Sequence, residues 1–208
     1  MQRRYIAMAV IFAVTLLVGA YVCFPKFRLW MHADALKQAS AAQWVDAHRY
    51  DAEWFDAARA GRVDILRLLR DAHYPIDTRN GPGYTAVVLA AYDEQPQALD
   101  YLLRAGANAC IADRNGNTAL MGAIYKGHTE TARRLLHAGC PIDQVNNAGE
   151  TALAFAVLFG RDEVLPDLVH AGARLDSRDV QGQTPLAIAL KQGNQQMAAV
   201  LRQLGAVD

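Results

Sequence analysis

Residues 113–143 read Asp-Arg-Asn-Gly-Asn-Thr-Ala-Leu-Met-Gly-Ala-Ile-Tyr-Lys-Gly-His-Thr-Glu-Thr-Ala-Arg-Arg-Leu-Leu-His-Ala-Gly-Cys-Pro-Ile-Asp, and this run contains one whole structural unit. Gly116 permits a tight turn, and Thr118 is placed to cap the helix that follows. Leu120, Ala123 and Ile124 form one apolar face of that helix. It ends at Gly127, a residue free to take the left-handed backbone of a helix C-terminus. A second helix sets Leu135 and Leu136 against the first and closes at Gly139. Small residues on the first helix let the two lie close, and neither can bury its apolar face without a neighbouring unit.

The same pattern recurs along the chain. Gly83, Gly116, Gly149 and Gly182 are each followed two residues later by Thr85, Thr118, Thr151 and Thr184, and every step is 33 residues. Gly61, Gly127, Gly160 and Gly193 keep a second register, and Gly106, Gly139, Gly172 and Gly205 a third. Leu69, Leu102, Leu135, Leu168 and Leu201 keep step throughout. Several registers at one period define a repeat protein.

On these motifs the chain resembles the ankyrin family, whose period is 33 residues and whose first helix opens Thr-Pro-Leu-His-x-Ala. Thr184-Pro185-Leu186 matches that opening best. Leu102-Leu103-Arg104-Ala105-Gly106-Ala107 and Leu135-Leu136-His137-Ala138-Gly139 match the end of the second helix. The resemblance covers residue 51 to the C-terminus. It implies an all-α ankyrin-repeat solenoid of about five helix-turn-helix units, near 51–83, 84–116, 117–149, 150–182 and 183–208. The first unit is degenerate, with Ala52-Glu53-Trp54 in place of the turn and Thr motif, and the last stops just after its second helix. Both fit capping units.

The chain departs from the family pattern in three ways. Val88, Met121, Ala154 and Ala187 replace the motif His, so its usual hydrogen bonds to the loops are missing and less firmly tied loops are expected. His73 and Glu94 stand where other units carry Gly. Pro166, early in the second helix of the fourth unit, is expected to kink it, whereas Pro96 sits at a helix start, where proline is favoured.

Residues 5–24 form an uncharged apolar run preceded by Arg3 and Arg4. About 20 such residues in a helix cross a bilayer, so residues 1–25 read as a transmembrane signal anchor. The alternative is a signal peptide cleaved at Val18-Gly19-Ala20, although the run exceeds the usual apolar core of ~7–15 residues. Arg3 and Arg4 are opposed by Lys26, Arg28 and Lys37 across the span, so charge alone does not fix orientation. A short N-terminal tail retained in the cytoplasm would put the rest of the chain in a periplasm or lumen. Residues 26–50 read as a helical extension carrying Trp30, Leu36 and Trp44, a spacer that shields the first repeat.

Lys+Arg and Asp+Glu balance at 21 each, so no positive excess exists to neutralise phosphates, and nucleic acid is not an expected partner. Apolar residues at 52% and charged residues at 20% suit a chain that buries a core. There is no phosphate-binding Gly-rich loop, no His-Glu-x-x-His and no Gly-x-Ser-x-Gly, so neither a catalytic set, a metal site nor a cofactor is expected. His137 and His170, one period apart, fall on the outer face of successive second helices, where solvated surface accounts for them. Cys110 and Cys140 belong to neighbouring units but to different positions within the unit. A bridge needs Cα atoms within about 7 Å, so the offset argues against one. Two free thiols in turn sit uneasily in an exported domain.

The family resemblance implies a protein partner lying across the fingertips and the concave face of the first helices. Carried over residue by residue, the fingertips are Gly81, Pro82 and Tyr84; Arg114, Asn115 and Asn117; Asn147, Ala148 and Glu150; and Val180, Gln181 and Gln183. The groove positions are Tyr92 and Asp93, Tyr125 and Lys126, Leu158 and Phe159, and Lys191 and Gln192. Tyr92, Tyr125, Leu158 and Phe159 would form an apolar stripe flanked by Asp93, Lys126 and Lys191, the composition of an interface hot spot. The competing expectation is that these side chains pack on their own loops or beneath the N-terminal extension.

The resulting picture is a non-enzymatic, membrane-tethered adaptor in a bacterial inner membrane, its repeats in the periplasm, or a soluble periplasmic protein after signal cleavage. Resemblance to small exported bacterial ankyrin proteins implies support of a catalase in peroxide defence, or immunity by occluding a secreted toxic effector. A cytoplasm-facing membrane scaffold is the reading for the opposite topology.

Overall fold

A computed structural model of the chain describes residues 47–207. Among the described residues there are ten α-helices and no strand: α1 (Asp51–Arg59), α2 (Val63–Asp71), α3 (Ala86–Tyr92), α4 (Pro96–Arg104), α5 (Ala119–Lys126), α6 (Thr129–Leu136), α7 (Ala152–Leu158), α8 (Leu165–His170), α9 (Pro185–Lys191) and α10 (Gln195–Gln203). A 3-10 turn, Ala47–Tyr50, leads into α1. The apolar run 5–24 and nearly all of the extension 26–50 lie outside the described residues. Among the described residues no helix is long and apolar enough to cross a membrane.

The periodic Thr residues start the inner helices. Thr85, Thr118, Thr151 and Thr184 are extended at the N-cap, and their hydroxyl oxygens accept the N–H of the third residue onward, Val88, Met121, Ala154 and Ala187, at 3.2–3.3 Å. At the other end of α5, Gly127 adopts φ 78° and closes the helix. Where the chain lacks Gly it bends the same way: Glu94 has φ 53° and His73 φ 65°. Pro96 begins α4. Pro166 does more than kink its helix. The segment splits into a 3-10 turn, Asp162–Val164, and a short α8 with the proline in its first turn.

Helices α1, α3, α5, α7 and α9 pack in succession as an inner row, and each even-numbered helix packs on the outer side of its partner. Ala86, Ala90 and Ala91 of α3 and Ala119 and Ala123 of α5 are buried where the inner helices meet, which is what their small size allows. The leucine register Leu69, Leu102, Leu135, Leu168 and Leu201 is buried from end to end. Truncating one such leucine to alanine costs about 2–5 kcal/mol. In the degenerate first unit Trp54 is fully buried, its ring centroid 5.0 Å from that of Tyr74. Burial, reinforced by donation to Asp51, pushes the Tyr74 hydroxyl well above the usual range.

The fingers are tied by other hydrogen bonds in place of those of the motif His. In each finger an Asn or Asp oxygen accepts the backbone N–H four residues ahead: Asn80 from Tyr84, Asp113 from Asn117, Asn146 from Glu150 and Asp179 from Gln183, at 2.8–3.0 Å. Neighbouring fingers also join by main chain, with Arg114 N–H donating to Pro82 O, Asn147 to Asn115 O and Val180 to Ala148 O at 2.9–3.1 Å.

Cys110 and Cys140 are bridged, with Cα atoms 5.3 Å apart, against the expectation from their offset. The offset is itself the reason. Asp77 accepts the N–H of Asn108, and Asp143 accepts that of Arg174, each 31 residues ahead. Cys110 stands one period after Asp77, and the residue that would donate to it is Pro141, which has no N–H. At this step the bridge to Cys140, next to Pro141, takes the place of the hydrogen bond.

Candidate functional site

The last turn of each inner helix faces the concave side, and the residues at that turn are what the period places in line. Tyr92 and Tyr125 stack with centroids 6.2 Å apart and planes inclined by 14°. Phe159 meets Tyr125 edge-on at 4.8 Å, and Phe155 lies the same distance below Phe159. Aromatic pairs favour these offset and edge-to-face arrangements. Tyr92, Tyr125 and Phe159 nevertheless stay 37%, 42% and 39% exposed, so contact with one another does not cover them. Leu158 is the exception in the expected stripe, being partly buried against the core.

The helix ends that carry these rings are tied to the next unit. A ring nitrogen of His128 lies 3.2 Å from the carbonyl oxygen of Tyr92, and Arg161 donates to that of Tyr125 at 2.9 Å. A cationic donor at a helix C-terminus also opposes the negative end of its dipole. The other ring nitrogen of His128 is 3.4 Å from the Glu94 carboxylate. The backbone beneath the two tyrosines is therefore fixed from the unit that follows it.

A pocket of about 370 Å³ opens between the rings and the fingers. Gly122 lines it together with the buried Val88 and Leu89; Tyr92, Tyr125, Phe155 and Phe159 supply aromatic walls, and Tyr84, Asn115 and Asn117 its finger side. Asp113 also lines it but is buried, and its carboxylate is occupied by the N–H groups of Asn115 and Asn117. The Asn117 side-chain oxygen accepts from Asn146. These groups shape the wall and leave the exposed Asn115 side chain as a polar contact at the rim.

Charge surrounds the apolar centre. Arg59 lies 3.9 Å from Asp93 at the α1 side. The Lys126 ammonium sits over the Tyr92 ring, 4.8 Å from its centroid, a cation–π arrangement. Lys191, further along the row, donates to Gln183 at 3.0 Å. Among the residues expected at the site, the structure thus brings Tyr84, Tyr92, Asn117, Tyr125 and Phe159 to one pocket, with Asp93 and Lys126 beside it. Arg114 is exposed on the fingertip line, and Leu158 and Lys191 lie outside the pocket. The pocket also includes residues outside the expected set, among them Phe155, Gly122 and Arg59. The period carries the signal for all three: Leu89, Gly122, Phe155 and Ile188 are equivalent, as are Arg59, Tyr92, Tyr125, Leu158 and Lys191.

His137 and His170 are exposed at the ends of α6 and α8, in the outer row. Among the described residues no three His, Cys, Asp or Glu side chains gather as a metal-binding group. The chemistry on offer in the groove is apolar burial with a polar and largely cationic rim.

The family model described as "Ankyrin repeats (3 copies)" matches residues 54–146 and, in a second, overlapping match, residues 134–207. Among curated proteins, none matches the chain.

Proposed function

This chain belongs to the ankyrin-repeat family, a family of protein-protein interaction modules, and from that premise we propose that it is a non-enzymatic adaptor whose concave groove and fingertips hold a protein partner. The observation that carries this reading is the row of three aromatic rings, contributed by three successive units, in mutual contact and each more than a third exposed. Rigid aromatic anchors inside a polar rim are what dominates the energy of a protein interface.

We further propose a tether through residues 5–24, with the repeats on the periplasmic side of a bacterial inner membrane. The apolar run supports the tether, and the Cys110–Cys140 bridge supports an oxidising compartment, since cytosolic thiols are kept reduced. The same bridge disfavours the cytoplasm-facing scaffold. Support of a catalase in peroxide defence and occlusion of a toxic effector both put a protein partner in this groove, so the partner's identity separates them.

Affinity capture from intact cells after mild cross-linking tests the proposal, comparing the native chain with the Tyr125→Ala, Phe159→Ala double variant. Hot-spot aromatics are each worth about 2–4 kcal/mol in binding, so the partner is lost from the variant. Its unfolding midpoint changes little, because both rings are on the surface. Equal capture by both chains removes the groove as the interface.

A further inference from the structure

The inner helices carry Asp56, Leu89, Gly122, Phe155 and Ile188 at one equivalent position, and only α5 has no side chain there. Glycine weakens a helix interior, so its presence calls for a reason. The backbone supplies none, since Gly122 is an ordinary helical residue and is absent from those with positive φ. Close packing supplies none either: a Cβ at Gly122 would meet only the Tyr92 ring, at an ordinary contact distance of 3.7 Å. What Gly122 does is line the pocket beside Tyr92, Tyr125 and Phe155 without putting a side chain into it.

Resting on the groove reading above, we propose that this notch receives one aromatic side chain from an extended, acidic segment of the partner protein. The notch is walled by aromatic rings and, at about 370 Å³, stands near the lower end of the ~300–1,000 Å³ range of ligand pockets. It therefore suits a single anchoring ring. The charge of the segment follows from the rim. Among the described residues Lys126 and Arg114 have no carboxylate partner, and neither does Lys191 further along the row, whereas Asp93 is matched by Arg59. Two carboxylates nearby also lack a cation, but both are engaged by N–H donors: buried Asp113 by the main chain of Asn115 and Asn117, and Glu150 by the Asn146 side chain. Asp56 lies one turn before Arg59 at the far α1 end, so the unmatched positive charge is on the α5–α9 side. Acidic residues flanking the anchor meet those cations, and the Asn115 amide at the rim is placed to bond the segment's main chain.

The test uses the full chain, purified in mild detergent, and the fluorescein-labelled peptide Glu-Asp-Gly-Trp-Gly-Asp-Glu, followed by fluorescence anisotropy. Replacing its Trp by Ala, or its acidic residues by Lys, weakens binding by ~10-fold or more. Gly122→Leu restores the side chain of the neighbouring units and abolishes peptide binding with an unchanged or higher urea midpoint. Lys126→Glu weakens binding of the acidic peptide and strengthens that of the Lys peptide. Equal binding of the acidic and Lys peptides overturns the proposal, as does binding that survives Gly122→Leu. It also falls if the peptide binds only after Trp30→Ala and Trp44→Ala, because the chain's own N-terminal segment is then the occupant. Self-association that Gly122→Leu dissolves would identify a second copy instead and reject the peptide. If Gly122→Leu still captures the partner that Tyr125→Ala, Phe159→Ala loses, the groove reading stands and this inference alone fails.

Discussion

Glu94 occupies the left-handed region at φ 53°, where the other units use Gly61, Gly127, Gly160 and Gly193. A side chain there costs about 1–2 kcal/mol against glycine, partly offset by the half-exposed pairing of Glu94 with His128, which is worth about 0–1 kcal/mol. Glu94→Gly is therefore expected to raise the unfolding free energy by roughly 0.5–1 kcal/mol, read from urea titrations. A loss of stability would show that the His128 contact outweighs the backbone. At this scale the sequence was legible wherever a residue repeats: the capping Thr residues and the turn glycines do what their spacing implies. It was least legible where one residue breaks the register. Gly122 looks like one more small residue in a helix rich in them, and only comparison with Leu89, Phe155 and Ile188 exposes it as a missing side chain.

Between elements, the second and third units are joined by a covalent bond where the first and third interfaces of the same kind use an Asp-to-backbone hydrogen bond. Closing the 30-residue separation between Cys110 and Cys140 restricts the unfolded chain by about 3–4 kcal/mol in the loop-entropy account. Reduction, or Cys110→Ser with Cys140→Ala, should lower the unfolding free energy by that order. Rebuilding the alternative joint with Cys110→Asp, Cys140→Ala and Pro141→Ala should recover about 1 kcal/mol of the loss, the net worth of one hydrogen bond. No recovery would mean that the cysteine pair is not a substitute for the Asp joint. Comparing the two cysteines as positions within one unit hides the bridge. The relevant geometry is between units, where a residue meets another about 31 positions ahead, as Asp77 meets Asn108. In the sequence Pro166 reads as a kink in one helix. Without an N–H to continue the helix, the segment divides into a 3-10 turn and α8.

Across the whole molecule, a single period sets the stack of helices, the buried leucine row and the line of rings on the concave face. Repetition also explains why the groove was largely legible: Tyr92, Tyr125 and Phe159 lie at or next to one repeated position, so the stacking that aligns the helices aligns the rings. The part that was not legible is depth. Leu158 packs against the core while Phe155, three residues earlier, reaches the groove beneath Phe159, a division that periodicity alone does not show. The central claim is that a partner occupies this concave face and not the outer row. A photo-crosslinking amino acid in place of Tyr125, and separately in place of His137, in intact cells tests it most directly. The account predicts a discrete cross-linked protein from the Tyr125 position and none from His137; a product from His137 alone would contradict it.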